Sequence, residues 1–182
     1  MKKIFALIAF LTFTCAATYA QRIAYVDSEY ILKHIPEYSA AQKQLDNLSA
    51  QWQDEVDNQY ANIETLYKSY QNDQSLLSAD MRRRREDEIV NKEKQVKDFQ
   101  KKKFGYEGEL FQNRVKLIQP IQDRVSKAIN DLATSLGLDL IIDKGSEVTF
   151  LYANPSLDKS NDVIKKLGYK PDNSFSNSTQ KK

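Results

Sequence analysis

Four consecutive arginines, Arg82, Arg83, Arg84 and Arg85, are the sharpest chemical feature of this sequence. A cationic cluster of that density suits acidic peptide segments, lipopolysaccharide or anionic lipid headgroups. With Glu86, Asp87 and Glu88 following at once, the same arginines also form a solvated helix face with i,i+3 and i,i+4 ion pairs, and both readings stand at this point. A second signal is aromatic. Trp52, Tyr60, Tyr67, Tyr70, Phe99, Phe104, Tyr106 and Phe111 are frequent for a helical coil. Most fit a buried seam; the rest could line a surface offering diffuse apolar and polar contact, a task that suits tyrosine's apolar body and polar tip.

Acid–base, thiol and metal chemistry are poorly served. The chain has one histidine and one cysteine. His34, beside Pro36, reads as structural, and Asp54, Glu55 and Asp57 read as solvating carboxylates on a helix. No glycine-rich phosphate loop, nucleophile elbow or metal-spaced cluster is present. The sequence therefore points away from an enzyme and implies no catalytic residue, metal ligand or cofactor.

Composition says what carries these residues. Five glycines and four prolines in 182 residues are about 5%, against a usual ~12%. Charged residues make up 29% and mean hydropathy is −0.63, values that suit long solvated helices. Residues 1–20 form a secretory signal: Met1–Lys3 is basic, Ile4–Phe13 is apolar, and Thr18-Tyr19-Ala20 offers small residues before a cut at Gln21. A lipoprotein variant would lipidate Cys15, but Thr12-Phe13-Thr14 is a poor approach to it. Cleavage removes Lys2, Lys3 and Cys15, which leaves a formally neutral mature chain without a thiol, unable to staple a small core with disulfides. No later segment reaches the ~18 apolar residues that span a bilayer, so the product is expected to be soluble.

Arg22–Asp27 reads as a buried strand. Asp27 or Ser28 caps a short helix through Leu32 that stops near Ile35, and Pro36 opens the next helix. Residues 37–104 then hold neither glycine nor proline. Within them Leu45, Leu48, Trp52, Val56, Tyr60, Ile63, Tyr67 and Tyr70 recur at helical spacing, with a step that unwinds a supercoil. The pattern lapses over Asn72–Asp80, where Ser78 can cap a second helix. It resumes through Ile89, Val96, Phe99, Tyr106, Leu110, Leu117, Ile121, Ala128 and Leu132. An antiparallel helical hairpin follows, spanning 36–120 with its tip near 72–80. Charge agrees: residues 37–80 carry a net −6 and residues 81–104 a net +5. Gly105 and Gly108 fall inside the returning helix, each costing about 1 kcal/mol relative to alanine. They are a soft joint or merely tolerated, and Pro120 is a kink further down.

Gly137 closes that helix. Leu138–Asp143 and Glu147–Tyr152 flank Lys144-Gly145-Ser146 as a β-hairpin. A last helix is capped by Ser160 and turns Val163, Ile164 and Leu167 inward until Gly168 and Pro171 stop it. Residues 169–182 form a polar tail, and the stretch 172–182 looks disordered. The fold class is thus mainly α with a small, discontinuous β-rich body, residues 21–35 with 121–168. Its own core, or the core it shares with further copies, draws on Ile23, Tyr25, Val26, Leu140, Ile142, Val148, Phe150, Tyr152, Val163, Ile164 and Leu167. Three short strands leave open edges and little buried area, so the body is expected to close against copies of itself as a homo-oligomer.

IAYVDSEYIL at 23–32, the proline-opened arm, QPI at 119–121, AINDLA and LDLIID within 128–143, and DKSNDVIKKL at 158–167 together resemble the periplasmic chaperone Skp (OmpH) family. The resemblance implies a homotrimer whose small body carries three helical tentacles. It also implies an ATP-independent periplasmic holdase that encloses unfolded outer-membrane β-barrel proteins, with no nucleic-acid partner. Members are often strongly basic, whereas this mature chain is neutral, and the polar tail lacks an obvious counterpart. A structural coiled coil that spaces envelope complexes is the alternative: a soft-jointed arm favours the chaperone, a rigid rod with a sticky tip the scaffold.

Overall fold

The computed structural model describes residues 22–145 and 151–172. The chain divides into two units, Ile35–Arg124 and a second made of Met1–His34 with Val125–Lys182. The expected export signal, Val148, Phe150 and the last ten residues of the tail lie outside the described residues.

The discontinuous unit is built on strand β1 (Ile23–Val26), which pairs in parallel with β2 (Leu140–Asp143), Ile23 opposite Leu140 and Val26 opposite Asp143. Parallel neighbours need a crossover, and here everything from Asp27 to Asp139 supplies it. The opposite edge of β1 is covered by a bridge from Tyr25 to Asp158, with the Lys159 amide donating to the Tyr25 carbonyl at 2.9 Å. Neighbours on both edges satisfy the backbone of β1, and burial of the successive residues Ala24, Tyr25 and Val26 means that both of its faces are covered, where a strand with one solvated face would alternate. Helix α1 (Ser28–Lys33) starts on Asp27, whose carboxylate accepts from the Tyr30 amide. Ile31, Val163 and Ile164 are fully buried.

The other unit is a helical hairpin. Helix α2 (Pro36–Asp73) opens on its proline, as the sequence predicts, and its 38 residues reach about 57 Å. Helix α3 (Ala79–Phe104) returns from a Ser78 cap whose hydroxyl accepts from the Met81 amide at 3.3 Å. Helix α4 (Glu109–Leu136) continues the chain, with Pro120 inside it. Ile118, Ile121, Val125 and Ala128 form its buried face. It ends at Gly137, φ 62°, where the Leu138 amide reaches back to the Ala133 carbonyl at 2.9 Å. That bond closes a Schellman turn. A 3-10 turn (Pro155–Leu157) and helix α5 (Ser160–Lys166) complete the described chain.

Three expectations need correction. The returning helix is two helices, because the chain turns through Gly105–Gly108 between them. β2 takes β1 as its partner rather than Glu147–Tyr152; most of that segment lies outside the described residues, and Leu151 and Tyr152 are exposed and not in a strand. Ser160 does not cap α5: its hydroxyl accepts from the Asp27 amide at 2.9 Å, and Lys159 holds the cap position without a side-chain bond. Among the residues expected in the body or oligomer core, Ile23, Leu140 and Tyr152 are 38%, 50% and 81% exposed in the single chain, so they add nothing to the core that this unit builds from its own residues and are left for the expected contact with further copies. Ile142 and Leu167 are half-buried, while Tyr25, Val26, Val163 and Ile164 are buried.

Candidate functional site

The arm's interior is one residue deep. Val56, Ile63 and Tyr70 of α2, seven residues apart, meet Ile89 and Val96 of α3, also seven apart. That seven-residue repeat supplies one of the two knobs of each heptad, and it is the buried one. Leu66, Leu77, Phe99 and Phe104 pack against this file and are partly buried. Two tyrosines cross between the limbs at its edge. Tyr60 donates to Gln100 Oε1 at 3.1 Å, and Tyr70 donates to the Glu86 carboxylate. The Tyr70 hydroxyl is held above its ordinary titration range, first by that bond to Glu86 and then by burial. Ion pairs Glu64–Lys68 and Arg85–Glu88 run within single helices. On exposed surfaces such pairs add little stability.

The aromatic residues therefore divide. Tyr70, Phe99 and Phe104 serve the seam, whereas Tyr60 is 39% exposed, Tyr67 50% and Tyr106 97%. Phe111 is exposed on α4.

The arginines Arg82, Arg83, Arg84 and Arg85 are all exposed in the first turns of α3, beside the exposed Leu76 and Met81. Four successive helical residues fan around the axis, so they do not converge on one pocket, and they take different local roles. Arg82 Nε donates to the Leu77 carbonyl at 3.2 Å and helps to hold the tip turn. Arg85 pairs with Glu88 along the helix, as a solvated face would. Arg83 and Arg84 are exposed to solvent. Pro120 lines an open cavity of about 410 Å³ with Ala40, Ala41, Gln44, Leu117 and Ile121, and Glu37 meets Arg124 there at 3.2 Å.

Sequence reasoning missed one constellation. At the end of α3, Lys103 extends over Trp52 of α2, with Nζ 4.6 Å from the ring centre, and lies 5.6 Å from Phe99. Its ammonium pairs with Glu109, the first residue of α4, and Lys102 approaches the same carboxylate at 3.6 Å. Trp52 meets Phe104 edge to face at 6.1 Å. The Glu109 carboxyl is held below its ordinary value of 4.5, first by the hydrogen bond from Lys103. Between the helices the Gly108 amide donates to the Gly105 carbonyl at 2.8 Å, and Glu107 sits at φ 55°. A Cβ on Gly105 would lie 2.3 Å from the Lys101 carbonyl oxygen, so the close return of the backbone demands glycine here. The lysine run Lys101–Lys103 looked like any solvated helix end; only the glycines marked the place.

His34 is structural, as read. Its Nδ1 lies 2.8 Å from the Tyr30 carbonyl, and Nε2 accepts from the Asp172 amide at 2.9 Å. Asp172, expected to begin a disordered stretch, is thereby held. Burial raises the Tyr25 and Tyr30 hydroxyls above their ordinary range, and Asp158 adds to both. Among the described residues no group of His, Cys, Asp and Glu could hold a metal ion. No described helix is long and apolar enough to cross a membrane.

Known proteins agree with the architecture. The model of the outer membrane protein (OmpH-like) family matches residues 22–167. A Skp chaperone protein from Yersinia enterocolitica is 27% identical over 152 residues, covering 84% of this chain and 89% of that protein. A crystal structure from Caulobacter crescentus, described as an OmpH-like outer membrane chaperone, superposes with a TM-score of 0.64. It covers 83% of this chain and 86% of its own at 12% identity, a likeness of fold.

Proposed function

The chain belongs to the OmpH-like family, a class of chaperones without enzymatic chemistry, and from that premise we propose that it is an ATP-independent holdase of the periplasm. Residues 1–20 direct export and are removed near Ala20. The mature chain then binds unfolded outer-membrane β-barrel proteins and prevents their aggregation before assembly. No reaction is needed, because many weak contacts presented together give avidity without a fixed epitope.

The observation that carries this reading is the arm. Its interior is a single file of side chains, while Tyr60, Tyr67, Tyr106 and Phe111 remain exposed. A compact enzyme or receptor would bury such residues or arrange them around a pocket. Here they offer extended, sequence-tolerant contact to strands of alternating polarity. Gly105 and Gly108 form a joint and Pro120 a second point of give, which favours a chaperone over a rigid spacer. The exposed side chains of Ile23, Leu140 and Tyr152 fit closure of the body against two further copies, a homotrimer with residues 21–35 and 121–168 as its shared root. Arg82, Arg83, Arg84 and Arg85 near the tip meet acidic client segments, lipopolysaccharide or anionic lipid.

The test is aggregation. A urea-unfolded outer-membrane barrel protein is diluted into buffer with the mature chain while light scattering is followed. Suppression complete near a chain-to-client ratio of about 3:1 is expected for a closed trimer holding one client. Scattering unchanged by any excess of the chain removes the proposal. Replacing Arg82, Arg83, Arg84 and Arg85 with glutamine weakens capture at low salt; an unaltered affinity removes the tip from the contact surface.

A further inference from the structure

We propose that Lys103 is a positioning residue that sets the joint of the arm, and thereby the range of client sizes the arm accepts; this second clause rests on the holdase reading. Three features make the lysine a latch rather than a solvated end of α3. Its side chain is only 16% exposed although it carries a charge. Its ammonium has two kinds of partner at once: the Glu109 carboxylate on the far side of the break, and the face of Trp52 on the opposite limb. The backbone between the helices is itself tightly turned, with Gly105 admitting no Cβ and Glu107 at positive φ.

The physical logic is that one cation satisfies both neighbours in a single setting of α3 against α4. If α4 swings away, Glu109 leaves with it and the ammonium keeps only the aromatic face. If α3 slides from α2, the aromatic face is lost and the ammonium keeps only the Glu109 carboxylate. Each movement breaks a different contact of the same atom, so the joint has one preferred setting and a modest barrier to leaving it. A cation over an indole contributes enough to shift a two-state ratio by about threefold, a bias that many weak client contacts can overcome.

Trp52 is the only tryptophan in the chain, so its fluorescence reads the latch directly. The experiment compares the mature chain with Lys103→Met, which keeps the apolar stem, and with Lys103→Arg, which keeps charge and stacking. Far-UV circular dichroism confirms equal helix content, and Glu109→Gln supplies a second route to the unlatched state if Lys103→Met folds poorly. Without client, Lys103→Met raises acrylamide quenching of Trp52 by at most about threefold, the limit set by the shift in the latch ratio, Glu109→Gln raises it less, and Lys103→Arg stays near the parent. A tryptophan-free, urea-unfolded barrel protein moves the parent toward the Lys103→Met value, and Lys103→Met protects a larger barrel at a lower chain-to-client ratio than the parent. Equal quenching in the parent, Lys103→Met and Glu109→Gln overturns the latch. A client response of the same size in the parent and Lys103→Met overturns its link to client size. Failure of the parent chain to suppress scattering at all counts against the holdase reading, while the quenching of the client-free chain still decides the latch.

Discussion

The body and the arm bury side chains by opposite strategies. In the body, Ile31, Val163 and Ile164 are completely buried, and they come from segments more than 120 residues apart. The backbone around them is tied by bonds of equally long range, Asp27 to Ser160 and Lys159 to Tyr25. In the arm, Val56, Ile63, Tyr70, Ile89 and Val96 succeed one another along two helices joined by a short tip. Such contacts close small loops, and small loops cost little entropy. The body is therefore a compact object that fails as a whole, whereas the arm is nearly one-dimensional and can yield in one place while holding elsewhere.

The sharpest way to break that comparison is to delete the same kind of side chain from each region. Ile164→Ala should cost about 3 kcal/mol, the usual loss for a fully buried isoleucine that leaves a cavity. Hydrogen exchange should then accelerate together through β1, α1 and α5, with Trp52 quenching unaltered. Ile63→Ala should cost less, about 2 kcal/mol, since the arm can collapse around the gap. Its faster-exchanging amides should be confined to the neighbouring turns of α2 and α3. If Ile63→Ala loosens the whole chain as Ile164→Ala loosens the body, the two strategies are one.

These same regions differ in how far sequence could reach them. The arm was legible because its signals are local. Pro36 opens α2, a glycine- and proline-free run sustains the limbs, and Ser78 caps α3, each a statement about residues within one or two turns. The body was legible in its ends and not in its pairing. Strands within 22–27 and 138–143 could be named from β-branched runs, yet nothing nearby says that they lie side by side in parallel. That outcome is decided by which edge of β1 the 155–159 segment covers. Ser160 shows the same limit: its spacing suits a helix cap, and its hydroxyl is claimed instead by the Asp27 amide 133 residues away. The break at Gly105–Gly108 stood between these cases, since two glycines can be tolerated within a helix. What turned them into a joint is the fit of Lys103 between Trp52 and Glu109, a tertiary fact.

Gly137 carries the comparison to a helix end. Its φ of 62° is left-handed, and an added Cβ would lie 2.9 Å from the guanidinium of Arg22, which also donates to the Leu136 carbonyl at 3.4 Å. Gly137→Ala should therefore cost about 1 to 2 kcal/mol. The loss should appear as a lower urea midpoint with faster exchange of the Leu138 and Asp139 amides, and with Trp52 quenching untouched.

The smallest effect sharpens the comparison from the arm's side, at the joint, where the charged Lys103 side chain is only 16% exposed. Glu109 titrates below its ordinary value of 4.5, chiefly because Lys103 donates to it. A carboxyl depressed in the folded state adds stability above its unfolded value and loses it as pH falls through the folded one. The joint should therefore loosen only in acid below that ordinary value and keep one setting across neutral pH. In a pH titration Trp52 quenching should rise at that acid edge in the parent chain and stay level in Glu109→Gln, which has no carboxylate to protonate. The two groups act on one atom, so the parent at its acid end should approach the glutamine variant's quenching. A parent chain that remains level through the acid edge, with helix content intact, would mean that the indole face alone holds the ammonium.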